Sequence, residues 1–139
     1  MSFLPEEDLE FLAGSGTTYE ELTEKIPDGK ERRGVLFPSF SFSSNLRMVD
    51  NGLLVVTTTC DLLVLVPDGY ATTKLDSFYT LPKLKKADGT DPQNANGETL
   101  LFQKTWQFWS RHLDDKDWRV GVDSLRTFLS YIRGELRNP

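Results

Sequence analysis

The chain has 139 residues, enough for one domain with its own hydrophobic core and too few for two ordinary ones. Lys and Arg number 16 against 21 Asp and Glu, and the net charge of −5 has the wrong sign for a nucleic-acid footprint or a polybasic membrane-surface protein. No apolar run is long enough to span a bilayer and no basic-then-apolar leader opens the chain; a single cysteine allows no internal disulfide, so a reducing cytoplasm is the expected setting. With one His and one Cys, a zinc site would have to be built mostly of carboxylates, and no metal is expected.

Residues 4–13 read as a short helix. Pro5 suits its first turn, Glu6, Glu7 and Asp8 favour its positive end, and Leu9, Phe11 and Leu12 supply an apolar side. Gly14-Ser15-Gly16 ends it. Residues 19–26 carry Tyr19, Leu22 and Ile26 at near-helical spacing. The turn signal Pro27-Asp28-Gly29-Lys30 that follows leads into a strand, so a helix and a first strand both remain open there. Residues 34–42 are expected to be a strand in which Val35, Phe37, Phe40 and Phe42 alternate, with a slip at Pro38 that marks an edge or a bulge. Residues 43–51 are loop-like. Leu53-Leu54-Val55-Val56 and Leu62-Leu63-Val64-Leu65-Val66 are continuous apolar runs and read as buried central strands.

Pro67-Asp68-Gly69 is a turn. Phe78-Tyr79-Thr80-Leu81 is a short strand stopped by Pro82. Residues 83–98 are polar and aperiodic, a long loop of the kind that often carries function; the Lys83-Leu84-Lys85-Lys86 cluster in it reads as a solvated edge or a patch for an acidic partner. From Asp123 the pattern is helical. Leu125, Phe128, Leu129, Ile132 and Leu136 share one face, and Asp123 or Ser124 caps the start. The sum is an α+β plan for residues 1–139: N-terminal helix, antiparallel meander of about four strands, long loop, C-terminal helix.

One stretch stands out, Trp106-Gln107-Phe108-Trp109-Ser110-Arg111-His112 and on to Trp118. It holds all three tryptophans and the only histidine, with a serine two residues before that histidine. The tryptophans are expected to be core anchors, since large aromatics dominate burial.

The element order resembles the ubiquitin-conjugating (E2, UBC-like) fold. In that family a strand runs into a Pro-x-Gly-Tyr-Pro-like turn, as residues 62–66 run into Pro67-Asp68-Gly69-Tyr70-Ala71; here Ala71 stands where the family has a closing proline. The chain is most similar to the prokaryotic E2-like group known as family E. The residues that carry this are Gly69-Tyr70, Leu75-Asp76-Ser77-Phe78-Tyr79, Ala87-Asp88-Gly89, the Trp106–His112 run and Trp118-Arg119-Val120-Gly121-Val122-Asp123. The resemblance covers nearly the whole chain and is specific in its C-terminal half.

What the resemblance implies is an enzyme that accepts a ubiquitin-like protein from an E1-like adenylating enzyme and passes it to a target protein. Such proteins sit in bacterial conjugation pathways, for which antiviral defence is the expected biology. No cofactor is implied, because the E1-like partner consumes the ATP. The sequence departs from the eukaryotic pattern in having no cysteine in the acceptor loop. Cys60, its only cysteine, precedes a buried strand and reads as an inert structural thiol.

Serine is then the substitute nucleophile, carrying an oxyester. A hydroxyl needs an adjacent base, and His112, two residues away, is the only imidazole in the chain. In an extended segment Ser110 and His112 project to one side; in a helix they diverge. Arg111 is a candidate oxyanion stabiliser, and Asp114, Asp115 or Asp117 a candidate orienter of the imidazole. The alternatives stay open: Ser110 as a loop or cap serine, His112 as a histidine bonded to backbone, and the whole chain as an inactive E2 variant that binds a ubiquitin-like protein or an E1 as a scaffold.

Overall fold

The computed structural model describes residues 2–139. Helix α1 spans Glu6–Ser15, with Glu6, Glu7 and Asp8 in its first turn and Gly16 closing it at φ 67°. Strand β1 spans Glu20–Lys25 and pairs antiparallel with β2, Glu31–Ser41, from Glu20 opposite Leu36 to Lys25 opposite Glu31. This settles the stretch left open between helix and strand. The turn at residues 26–30, with Gly29 at φ 76°, folds it back as a hairpin, and ladder hydrogen bonds outweigh a local helical spacing.

On its other side β2 pairs with β5, Thr59–Leu65. The register shifts between Phe37 and Phe40, where Ser39 sits at φ 53° and its N–H donates to Asp61 Oδ1 at 3.1 Å. The slip at Pro38 is therefore a bulge in an interior strand, not an edge. Strand β5 is central, with Leu62, Leu63 and Val64 fully buried.

Two expectations fail in the segment before it. Residues 47–56 form a separate hairpin of β3, Arg47–Asp50, and β4, Leu53–Val56. Its turn is Asn51-Gly52, both at positive φ (51° and 79°), the residue pair that a tight two-residue hairpin favours. Leu53-Leu54-Val55-Val56 is not a buried central strand: Leu53 is 68% and Val56 63% exposed. Apolarity sets β propensity here, but the hairpin stands outside the main sheet, bridged to the long loop at Arg47–Lys85, and leaves Val49, Leu53, Leu54 and Val56 exposed.

Strand β6, Phe78–Leu81, pairs with β5 and with β8, Lys104–Trp109; β7, Gly97–Leu101, pairs with β8. The main sheet has six strands in the order β1-β2-β5-β6-β8-β7, against the expected meander of about four. The missed hairpin β7–β8 turns at Phe102 and Gln103, at φ 51° and 68°. A left-handed turn without glycine or asparagine leaves no sequence signal. Consequently residues 106–109 are strand, not acceptor loop.

The long loop from β6 to β7 is tied at Leu84 and at Ala95 by one side chain. Gln107 on β8 is buried; its Oε1 accepts from Thr80 Oγ1 (2.8 Å) and the Leu84 N–H (2.7 Å), and its Nε2 donates to the Leu84 and Ala95 carbonyls (both 2.9 Å). All four amide hydrogen-bonding positions are satisfied, as burial of a polar group demands. Lys83 and Lys85 of the basic cluster pair with Asp91 of the same loop.

Helix α2, Leu125–Arg137, buries the expected face of Leu125, Phe128, Leu129, Ile132 and Leu136. Ser124 is the capping residue, its N–H donating to Thr127 Oγ1 at 2.9 Å. Both helices pack in one core with Phe37, Leu62, Val64, Phe78 and Trp109. A smaller cluster of Leu63, Leu101 and Trp106 lies apart from it, with Leu22, Leu36, Leu65 and Tyr79 around it. Alternation along the strands puts the two clusters on opposite faces of the sheet. No helix among the described residues is long and apolar enough to cross a membrane.

Candidate active site

The site begins where strand β8 runs out. Trp109 stacks on Phe78 at 5.3 Å and its Nε1–H donates to Thr80 Oγ1 at 2.9 Å; Trp106 Nε1–H donates to the Leu101 carbonyl at 3.0 Å. Both rings are buried, so the last ordered pair of the ladder, Phe78 opposite Trp109, is rigidly placed. Beyond it the chain stays extended. The Ser110 N–H donates to the Asn94 carbonyl at 2.9 Å. Ser77 Oγ donates to the Arg111 carbonyl at 3.0 Å and accepts from the Arg111 N–H at 3.2 Å. Lys74 Nζ donates to the Leu113 carbonyl. Residues 110–113 are thus threaded between the long loop and residues 74–77.

Extension puts residues two apart on one side of the chain. Ser110 Oγ lies 3.4 Å from His112 Nε2. His112 Nδ1 lies 3.5 Å from Asp76 Oδ2, whose other oxygen accepts the Leu113 N–H at 3.1 Å. A carboxylate at Nδ1 favours the tautomer with the proton there, which leaves Nε2 free to accept from the serine hydroxyl. The three side chains form a Ser–His–Asp line. The imidazole is 78% exposed and the Asp76 carboxylate 38%, so solvent screens their attraction and geometry, not strong charge coupling, is what the arrangement offers.

The carboxylate differs from the one sought in the sequence. Asp114 pairs with Lys116 at 3.9 Å and its carbonyl accepts the Asp117 N–H; neither Asp114 nor Asp117 contacts the imidazole, and the Asp115 side chain lies outside the described residues. Asp76 sits 36 positions upstream of His112, and only the register of β6 against β8 brings it alongside. Its signal lay in Leu75-Asp76-Ser77-Phe78-Tyr79, as an acid at the mouth of a strand that ends beside the Trp109 strand.

Ser110, Arg111 and His112 line a cleft of about 360 Å³ with Gln93, Asn94, Tyr131 and Glu135. Ser110 is half-buried, and among the described residues its hydroxyl has no partner but His112. Arg111 is committed elsewhere. Its side chain is 11% exposed; Nε pairs with Glu135 Oε1 at 2.6 Å, one terminal nitrogen donates to the Gln93 (2.8 Å) and Ser110 (3.0 Å) carbonyls, and the guanidinium lies 5.2 Å from the Trp109 ring centre. It ties helix α2, the long loop and the serine backbone together. Tyr131 donates to Glu135 at 3.4 Å, and burial with that carboxylate nearby pushes its phenol up to about 12, so it stays a neutral donor in the cleft. Cys60 is remote and buried in the core, and burial pushes its thiol up to about 12, which keeps it from being a thiolate.

The Gly69-Tyr70-Ala71 turn is anchored at both Tyr70 and Ala71. Tyr70 donates its hydroxyl to Asp8 Oδ2 at 2.6 Å, Trp118 Nε1–H donates to the Ala71 carbonyl at 2.9 Å, and the Tyr70–Ala71 peptide is cis. The turn links α1 to the segment that leads into α2.

A mostly antiparallel six-stranded sheet with an N-terminal and a C-terminal helix defines an α+β protein of the UBC-like type. The family model described as Prokaryotic E2 family E matches residues 4–138, and the chain belongs to that family. It is an E2-like protein, of a class that works with E1-like enzymes and ubiquitin-like proteins. No curated protein and no solved structure gives a match.

Proposed function

We propose that this E2-like protein is an acyltransferase that carries a ubiquitin-like protein as an oxyester on Ser110. The observation that supports this reading is the line from Ser110 Oγ through the His112 imidazole to Asp76, opening on a cleft. In the first half-reaction Ser110 Oγ attacks the C-terminal carbonyl of the modifier, held as a thioester by the E1-like partner. His112 Nε2 takes the hydroxyl proton, the O–C bond forms, the C–S bond breaks, and the departing thiolate takes the proton back. In the second, an amine of the target attacks the oxyester, its proton passes through His112 to Ser110 Oγ, and an amide results. Asp76 holds the imidazole tautomer. Arg111 acts as a positioning residue through its hold on the Ser110 carbonyl, and the amides of Gln93 and Asn94 bring donors to the cleft for the developing oxyanion. Contacts of 3.4 to 3.5 Å shorten when a substrate fills such a site.

The test is incubation with the cognate E1-like enzyme, ATP and the ubiquitin-like protein. The expected adduct survives reducing agent and is cleaved by hydroxylamine or base. Ser110→Ala is expected to abolish it with unchanged thermal stability. An adduct that persists in Ser110→Ala removes the serine from this role. No adduct with an active E1 leaves the chain as a non-catalytic E2 variant.

A further inference from the structure

The face of the sheet away from the helices is a cup rather than a plane. Phe102, at the β7–β8 turn, reaches back across it. Its N–H donates to the Glu24 carboxylate on β1 at 3.2 Å, and its ring lies so close to Gly34 on β2 that an added Cβ there would stand 2.9 Å from Cε2. The two ends of the six-stranded sheet therefore approach one another. Leu63, Leu101 and Trp106 fill one end of the cup. The other end is an open cleft of about 430 Å³, within the roughly 300–1,000 Å³ typical of small-molecule sites.

Its floor includes Leu65 and the pair Tyr79 and Phe108, stacked at 5.3 Å and 27°, all half-buried. Its rim carries Lys30, Arg32, Arg33 and Lys74 among Glu31, Asp68 and Asp76, and Arg33 Nε pairs with Glu31 at 3.2 Å. Arg32 shares its strand face with Gly34 and Leu36, and so points into the cup, where it meets Glu24 at 2.5 Å. Lys30 is exposed and its ammonium pairs with no carboxylate among the described residues. Asp76 and Ser77 lie between this cleft and the His112 segment, while Ser110 opens into the other cleft.

We infer that this second cleft is a binding site for a small molecule with a flat apolar body and one anionic head, the body on Tyr79 and Phe108 and the head at Lys30 and Arg32. The aromatic pair offers a ring-sized apolar surface. A guanidinium on the cup face and an uncommitted ammonium supply charge-assisted donors for a carboxylate. The site uses neither Ser110 nor His112, and it shares Asp76 with the proposed Ser110–His112–Asp76 line.

The experiment is a titration of 15N-labelled full-length protein, followed by amide chemical shifts, with 2-naphthoate, its neutral analogue 2-naphthamide, and acetate. Saturable shifts are expected at Arg32, Leu65, Tyr79 and Phe108 with 2-naphthoate. The amide, which lacks the charge, and acetate, which lacks the body, should each bind at least about tenfold more weakly, the size of one charge-assisted hydrogen bond. The double variant Lys30→Glu with Arg32→Gln should lose at least as much, and Arg32→Lys should regain part of it. The assignment is overturned if naphthoate binds no tighter than the amide, if the shifts centre on the exposed 47–56 hairpin, or if the double variant, folded by its own spectrum, keeps full affinity.

Discussion

The run from Trp106 to His112 divides into two halves with opposite physics. Residues 106–109 are strand: Trp106 and Trp109 are buried, their indole N–H groups hydrogen-bonded, and Gln107 satisfies a whole loop from inside the core. Residues 110–112 follow at once and are half-buried to exposed, with the imidazole 78% open to solvent. The first half makes the second possible. A half-buried serine and an exposed histidine keep a defined separation only because the residue before them is locked in the core and the backbone between them is held by Ser77 and Asn94. A mobile pair would meet rarely, whereas one held near its working geometry has its orientation entropy already removed.

Substitutions in the two halves should therefore separate. His112→Gln is expected to slow oxyester formation by about 10²–10⁴-fold, the usual range for a lost general base, with the denaturant midpoint unchanged. Trp109→Ala should do the reverse first: a loss of about 3–5 kcal/mol in folding stability, measured by chemical denaturation, with activity falling because the segment loses its anchor. If Trp109→Ala left both stability and the Ser110–His112 geometry intact, the division into anchor and site would be mistaken. Asp76→Asn is expected to slow the reaction about tenfold, ~1.4 kcal/mol of orienting interaction across a solvent-screened contact, in single-turnover assays below saturation. Rates equal to wild type would mean that the imidazole needs no orienter.

Asp8 gives a pH signature on the scaffold side. Burial pushes its carboxyl up, against the lowering effect of the Tyr70 hydroxyl, and Oδ1 has no partner among the described residues. A carboxyl raised on folding favours the protonated folded state. Its stabilisation is full below the unfolded value of 3.8 and is lost as pH rises through the higher folded value. Relative to Asp8→Asn, wild type should lose stability over that rise in paired melts, and parallel curves would show that Asp8 does not titrate on folding. The smallest effects belong to the uncovered hairpin. Leu53→Lys and Val56→Lys should each change stability by no more than about 0.5 kcal/mol in the same assay, as exposed substitutions do.

The hairpin and β5 make the limits of sequence reading concrete. Leu53-Leu54-Val55-Val56 and Leu62-Leu63-Val64-Leu65 have nearly the same composition, and both are strands. One is outside and one is the centre of the sheet, because burial depends on which neighbours arrive, not on the run itself. Likewise Ser110-x-His112 is legible as a candidate pair, but the acids nearest in sequence, Asp114, Asp115 and Asp117, are the candidates that proximity offers, and the contacting carboxylate is Asp76. Proximity in sequence is a poor guide where strand register sets the neighbour.

By itself the sequence determined what depends on local pattern. The α2 face follows from 3.6-residue periodicity, the Phe78–Leu81 strand from its β-favouring run and the proline after it, the hairpin turn at residues 27–30 from Pro-Asp-Gly chemistry, and the family resemblance from motifs strung along the chain. The tertiary structure alone decided what depends on non-local pairing. It turned the open stretch before residue 27 into β1, added the β7–β8 hairpin whose left-handed turn lacks glycine, committed Arg111 to Glu135, and set Asp76 beside His112. Periodicity and turn residues act within a few positions of the chain. Register and enclosure are set by hydrogen bonds and contacts between segments tens of residues apart, and the candidate site at Ser110 is made of those.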